Sequence, residues 1–237
     1  NDVTVMGMDS NCGGAGGFHF GIRKAYALGA DWIWTLDDDT VPEHAALAAL
    51  LDASSAEPAA DLFASDVLWK DGSPHVMNRP GFAGRQDPLT RLRPVTRASF
   101  VSILISRKAV QAAGLPIKEF FIHSDDVEYT TRITAKGFCA FFVVASRVVH
   151  MTPANTGITF NNLNIQAATL ASWKYTVRNL VAVNRRRPLG WLREPVRLCL
   201  LFARLLASPT PREARAEVLK AGIEGLFMEY EKWIEYP

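Results

Sequence analysis

Cysteine is scarce and scattered in this chain. Cys12, Cys139 and Cys199 share no Cys-x-x-Cys spacing and no cluster with histidine, so neither a disulfide framework nor a zinc site is supported. A reducing cytoplasm fits that pattern. Long apolar runs are missing too, and none reaches the ~18–20 residues that span a bilayer. A strong overall charge is also lacking: a net +2 is too small to imply nucleic-acid binding by itself, and no nucleic-acid partner is expected. What the chain does have is apolar mass. Its 237 residues are 49% hydrophobic, enough to bury the core of one large domain or of a domain with an appendage, and disorder is excluded as the default.

Residues 30–42, Ala-Asp-Trp-Ile-Trp-Thr-Leu-Asp-Asp-Asp-Thr-Val-Pro, organise the rest. Trp32 to Leu36 is rich in β-formers and reads as a buried strand. Pro42 and the alanine- and leucine-rich residues 43–51 read as a helix that starts just beyond it. Asp37, Asp38 and Asp39 therefore stand at the C-terminal tip of a strand, where open α/β sheets bind ligands. Alternate residues of an extended tip point the same way, so Asp37 and Asp39 can converge on one cation. Mn²⁺ and Mg²⁺ take carboxylate oxygens and share them with substrate phosphates. The plainer alternative is a helix cap at Asp39 or Thr40, with the other acids merely solvated.

Residues 3–8 are apolar enough for a strand and lead into Asn11-Cys-Gly-Gly-Ala-Gly-Gly-Phe18; residues 20–28 then have helical spacing, with Gly29 as a stop. Glycines between strand and helix let backbone approach a ligand and aim unpaired N–H groups at a phosphate or polar sugar. No Gly-Lys-Ser/Thr follows, so this is not a P-loop, and the dinucleotide fingerprint is met only loosely. A tight turn is the plainer reading.

Residues 61–69 and 100–106 read as strands, Asp71-Gly72 as a turn and residues 107–113 as a short helix. Residues 73–97 carry five arginines (Arg79, Arg85, Arg91, Arg93, Arg97) with little periodicity, which fits a solvated loop or a flap that meets an anionic substrate. Ser124 can cap a helix whose first turn holds Asp125, Asp126 and Glu128 and which Gly137 ends. The helix dipole alone would explain those acids, whereas a carboxylate beside a pocket can act as general base toward an acceptor hydroxyl. Residues 138–146 form another strand, and His150 follows at its end. A solitary histidine is often structural, yet imidazole is a good third ligand for Mn²⁺ beside two carboxylates.

In residues 150–208 eight Lys/Arg face one acid, Glu194. They fall on a basic helix within residues 161–187, broken by Pro188, and on an apolar, arginine-studded helix over residues 189–206. The second is too short to span a bilayer. It lies in a membrane interface or packs on the sheet or on another subunit. A final helix covers residues 211–235.

Taken in order, Asn11-Cys-Gly-Gly-Ala-Gly-Gly-Phe18, Asp31-Trp-Ile-Trp-Thr-Leu-Asp-Asp-Asp39, Phe100-Val-Ser-Ile-Leu-Ile-Ser-Arg107, Phe121-Ile-His-Ser-Asp-Asp-Val-Glu-Tyr129 and His150 resemble the motifs of the family 2 inverting glycosyltransferases. Within that family they look most like the bacterial galactofuranosyltransferase and rhamnosyltransferase branch. The resemblance runs from about residue 3 to residue 187. It implies an α/β GT-A fold, a Rossmann-like αβα sandwich with a mostly parallel central sheet, followed by C-terminal helices. It also implies a nucleotide-sugar-binding and catalytic domain over residues 1–160 and a basic helical region over residues 161–237. By the same resemblance Asp37, Asp38 and Asp39 correspond to the DXD motif, with Asp37 and Asp39 reaching metal and nucleotide. His150 corresponds to the histidine that completes the metal site. Asp126 corresponds to the catalytic base, with Asp125 beside it holding the acceptor. Asn11, Gly13, Gly14, Gly16 and Gly17 correspond to the loop that shapes the donor pocket.

The implied reaction is Mn²⁺- or Mg²⁺-dependent transfer with inversion. UDP-galactofuranose is the first choice of donor and dTDP-rhamnose the second; the acceptor is a hydroxyl of a cell-envelope glycan or of a polyprenyl-pyrophosphate-linked glycan. The basic helices add an expectation of peripheral binding at the anionic inner face of the cell membrane, or of homo-oligomer contact. Family members open with a strand ending in Thr-Tyr/His-Asn/Arg, a helix, and a strand ending in an Asp that holds the base; none of this precedes Asn1, and a missing N-terminal part is expected. Two rival classes remain. A non-catalytic sugar-nucleotide-binding module would keep the glycines and acids without a base, and a dinucleotide oxidoreductase would not call for three acids at the next strand tip.

Overall fold

The computed structural model describes residues 3–85, 87, 89–156, 170–207 and 211–237. Residues 3–8 do not form the expected strand: the segment is irregular, with Val3 and Val5 exposed, because among the described residues no neighbouring strand takes up its backbone N–H and C=O groups. Helix α1 (Gly13–Ala27) starts inside the glycine run rather than after it. Asn11 sets that start, its side-chain oxygen accepting the Gly13 N–H at 2.9 Å. Gly29, at φ 85°, ends the helix as its position in the sequence predicts.

One sheet holds β1 (Trp32–Leu36), β2 (Thr40–Pro42), β3 (Ala60–Leu68), β4 (Gly81–Phe82), β5 (Leu92–Arg97), β6 (Ser102–Ser106) and β7 (Cys139–His150). Its order is β1-β6-β3-β7-β5-β4, with β2 paired to β7. The central ladder, β3 on β7, is parallel. Strand β6 runs antiparallel to β1 and to β3, and β5 antiparallel to β7. It follows that β1, β3 and β7 point the same way and bring their C-terminal ends to one edge. These co-directional strands are the parallel core that the resemblance implies.

Successive residues of a strand face opposite sides, and here both sides are covered. Leu62, Ile103, Ile105 and Phe142 are buried with Ile22 of α1, Ala109 and Val110 of α3 (Arg107–Ala113) and Ile133 of α4 (Asp125–Ala135). Their immediate neighbours Phe63, Leu104 and Val143 are buried with Leu50 and Ala53 of α2 (Ala46–Ala56). The result is a three-layer αβα sandwich, which is why the strands read as nearly continuous apolar runs.

Two elements differ from the sequence expectation. Helix α2 starts at Ala46, not at residue 43, because the chain first pairs as β2 and the Glu43 N–H donates to the Arg147 carbonyl at 3.0 Å. Residues 73–97, expected to be irregular, contribute β4 and β5; Val95 is buried in the core while Arg93 lies over the Phe142 ring.

The C-terminal helices are α5 (Leu170–Arg185), α6 (Gly190–Ala207) and α7 (Arg212–Phe227). Residues 161–169, expected to open the basic helix, lie outside the described residues. Val177, Val181, Leu198, Leu201, Leu205 and Val218 bury against one another where the three helices meet. Gly225 lets α7 press on α5, since a Cβ there would run into the Arg178 carbonyl. Helix α7 ends at Phe227 instead of running to residue 235. The chain then turns so that Tyr230 packs edge-on against Phe120, with ring centroids 5.3 Å apart. No helix among the described residues is long and apolar enough to cross a membrane.

Candidate active site

The three acids form the turn between β1 and β2, closed by the Thr40 N–H donating to the Asp37 carbonyl at 3.1 Å. The β2–β7 register sets Thr40 opposite His150, which carries the histidine at the end of β7 to the acids at the end of β1. His150 Nε2 lies 2.9 Å from Asp39 Oδ1 and 4.0 Å from Asp37 Oδ2. One ligand atom from each of Asp37, Asp39 and His150 falls within 4.8 Å of the others. Asp38, between them, is exposed. Burial pushes the Asp37 carboxyl up to about 6, eased by the His150 charge and reinforced by Asp39 and Asp126. Two carboxylates and an imidazole so placed could together hold a divalent cation.

Sequence reasoning missed the groups behind His150. Its Nδ1 meets Asn78 Oδ1 at 2.8 Å, an acceptor, so Nδ1 carries the proton and Nε2 is the nitrogen directed at the acids. The buried His75 packs against the same ring, tilted by 34° with centroids 4.7 Å apart. Burial, and after it the neighbouring His150, hold His75 below the ordinary imidazole value.

Asp125 and Asp126 open α4, but Ser124 does not cap it as expected: it is left-handed, at φ 65°, and its side chain makes no cap hydrogen bond. Phe121 and His123 are also left-handed, at φ 65° and 68°. Such backbone persists only where its surroundings hold it. The holder is Asn179 of α5, fully buried, whose amide nitrogen donates to the carbonyls of Phe120, Ile122 and His123 at 2.9, 3.0 and 2.9 Å. From the other side Gly13 packs against Phe121 so closely that a Cβ would strike its carbonyl, and the Ala15 N–H donates to that oxygen at 3.1 Å.

The loop thereby delivers two adjacent carboxyls. Asp125 is buried and Asp126 half-buried. Desolvation raises both above the ordinary carboxylate range, and the charge of Asp126 raises Asp125 further. Asp126 also accepts from the Val127 N–H at 2.6 Å and from the Ser99 hydroxyl, and Arg97 lies near; all three favour its charged form. Glu128, the third acid of that turn, is instead taken up by Arg132 at 2.9 Å.

One cleft of about 450 Å³ is lined by Asp37, Asp38, Asp39 and His150 together with Asp125 and Asp126. Gly14, at the start of α1, lines it too, and so do Thr176 and Leu180 of α5, a wall the sequence did not disclose. Asn11, Gly13, Gly16 and Gly17 are not among its lining residues. Asn11 and Gly13 shape the start of α1, and Gly16 lies against the Cys12 side chain.

Residues 2–169 match the profile of the family described as glycosyltransferase like family 2. The chain belongs to that family. It is 32% identical over 148 residues to the galactofuranosyltransferase GlfT1 of Mycolicibacterium smegmatis, across 56% of this chain and 48% of that protein. It is 31% identical over 146 residues to the protein of the same name from Mycobacterium tuberculosis, across 57% and 47%. The chain thus spans about half the length of the curated relatives it matches. Among solved structures, GalNAc-T7 crystallised with UDP, GalNAc and Mn²⁺ is similar at a TM-score of 0.43 and 12% identity, over 72% of this chain and 39% of that one.

Proposed function

We propose that this family 2 chain carries the catalytic part of a cation-dependent inverting glycosyltransferase, and that the sugar it moves is galactofuranose from UDP-galactofuranose. The observation that carries the reading is the convergence of a cation-competent Asp37, Asp39 and His150 with a second carboxylate pair, Asp125 and Asp126, on one cleft. The choice of donor rests on the likeness to the galactofuranosyltransferases. The catalytic role falls to residues 1–160, and the helical region over residues 161–237 completes the cleft through Thr176 and Leu180.

In this reading Asp37, Asp39 and His150 hold Mn²⁺ or Mg²⁺. When bound, such an ion supplies Lewis-acid neutralisation of the charge that develops on the departing nucleoside diphosphate. Asp38 and the start of α1 at Gly14, the positive end of a helix, flank the phosphates. Asn11, Gly13, Gly16 and Gly17 act on the donor indirectly, by fixing that helix start. Asp126 accepts the proton of the acceptor hydroxyl as it attacks the anomeric carbon, and a single displacement inverts that centre. Asp125, which burial keeps from ionising readily, donates a hydrogen bond to the acceptor. The test is direct: UDP-galactofuranose and other nucleotide-sugars are incubated with the protein and a glycan acceptor, with and without Mn²⁺. Release of UDP coupled to cation-dependent transfer supports the reading, and binding of donor without transfer identifies a non-catalytic binding module instead.

The acceptor is proposed to be a cell-envelope glycan, presented on a polyprenyl-pyrophosphate carrier at the inner membrane surface. Helix α6 supports this. Its Leu198, Leu201 and Leu205 are buried in the bundle, while Trp191, Leu192, Val196, Leu200 and Leu206 are exposed. At helical spacing Arg193, Arg197 and Arg204 line one border of that exposed face. An apolar face bordered by arginines suits the interface of an anionic bilayer.

A further inference from the structure

His150 and Asp126 come from different elements, yet one line of hydrogen bonds joins them. His150 Nδ1 donates to Asn78 Oδ1 at 2.8 Å. With its oxygen so engaged, the Asn78 amide presents its nitrogen to Ser99 Oγ and donates at 2.9 Å. Ser99 Oγ accepts from Asn78 and, at 3.4 Å, from the Val101 N–H, which leaves its own proton for the Asp126 carboxylate. Every link has one allowed polarity. A neutral side chain that accepts at one end and donates at the other of a rigid plane is an amide, and Asn78 is buried.

We infer that Asn78 and Ser99 are positioning residues that tie the cation-holding histidine to the base: Asn78 serves both ends, Ser99 the base alone. This rests on the reading of Asp37, Asp39 and His150 as the cation site and of Asp126 as the base. Fixing the proton on His150 Nδ1 leaves Nε2 as a lone-pair donor to the ion and orients the ring. The same amide aligns the Ser99 hydroxyl, which keeps one Asp126 oxygen engaged and leaves the other for the acceptor. Cation site and base are thereby held in a single arrangement, as in-line displacement demands.

Three variants separate the two ends. Asn78→Asp keeps the acceptor for His150 but has no donor for Ser99. Ser99→Ala leaves the Asn78–His150 contact and removes the donor to Asp126. Asn78→Leu removes both. Mn²⁺ titrated alone, followed by its electron paramagnetic resonance signal, reads the cation end; kcat and KM for sugar transfer read the base end. Asn78→Leu is expected to weaken Mn²⁺ binding by about 10- to 100-fold, the usual loss when the partner of a ligating histidine is removed. Asn78→Asp and Ser99→Ala are expected to bind Mn²⁺ at least as tightly as wild type and to lose about tenfold in kcat at unchanged donor KM, the pattern of a contact used only in the transition state. Wild-type Mn²⁺ affinity in Asn78→Leu, or wild-type kcat in the other two, overturns the inference. Should Asn78→Leu not fold, the near-isosteric Asn78→Asp and Ser99→Ala decide it by their kcat. A wild-type chain that binds Mn²⁺ but transfers no sugar sinks the glycosyltransferase reading alone, and the Mn²⁺ titration of Asn78→Leu still decides whether the amide serves the histidine.

Discussion

Thr40 and His150 are directly opposed in the β2–β7 ladder. This pair brings the histidine to the acids, because a slip of one residue would turn His150 to the other face of the sheet. At a hundredfold excess over its Kd, Mn²⁺ should stabilise the wild-type protein by about 2.7 kcal/mol. His150→Ala and Asp39→Ala should lose that gain, and a Tm response that survives in either variant removes that residue from the site.

Asp126→Asn should lower kcat by about 10²- to 10⁴-fold, the range for loss of a positioned proton acceptor. Donor affinity, measured by calorimetry with Mn²⁺ present, should stay at the wild-type value, since the proposed role of Asp126 is toward the acceptor. Transfer at the wild-type rate would remove the base assignment.

How far the sequence foretold this site depended on whether a residue's role was set by its neighbours in the chain. Trp32–Leu36 and Arg107–Ala113 have the bounds their residue types predict, and Gly29 and Gly137 end α1 and α4 at positive φ. Asp37, Asp39 and His150 were nameable because a run of acids and a histidine at a strand end carry chemistry in their residue types, and Asp125 and Asp126 stood out likewise. Strand β5 was hidden among arginines, since its pairing to β7 is decided by a partner about fifty residues on. Asn78, Ser99 and Asn179 gave no signal, because a lone amide or hydroxyl has no period and earns its role only when a distant carbonyl or ring arrives. Ser124 misled for the opposite reason: its type and position suit a cap, but the loop held by Asn179 fixes it in a conformation that prevents one.

The buried Asp125 should shape the pH dependence of stability. Burial, with the Asp126 charge, pushes its carboxyl from the ordinary 3.8 up to about 8. Between those values the folded chain keeps a proton that the unfolded chain has released, so stability falls as pH rises through the window. Asp125→Asn keeps the shape and cannot ionise. Urea midpoints taken across that range should decline less steeply for the variant, and parallel declines would show that Asp125 does not carry the effect.

Asn179→Ala should destabilise the fold by about 1–3 kcal/mol, because buried carbonyls lose their donor. Amides of residues 121–127 should exchange faster in that variant. Val181→Ala, a truncation on the same helix within the α5–α7 contact, should cost stability without that local change. Equal exchange at those amides in the two variants would reduce Asn179 to ordinary packing.

Flotation with vesicles tests α6. At low salt the protein should rise with anionic liposomes, each basic residue near the surface contributing about 1 kcal/mol. Trp191→Glu, at a position 67% exposed, should reduce flotation without altering Tm. Wild-type protein that stays in the soluble fraction would contradict a membrane seat.

The family match stops at residue 169, while the amide that braces the carboxylate-bearing loop stands at 179, on a helix against which Gly225 packs. A fragment trimmed for expression at the end of the match would therefore keep all five carboxylates of the cleft and discard the brace that aims two of them.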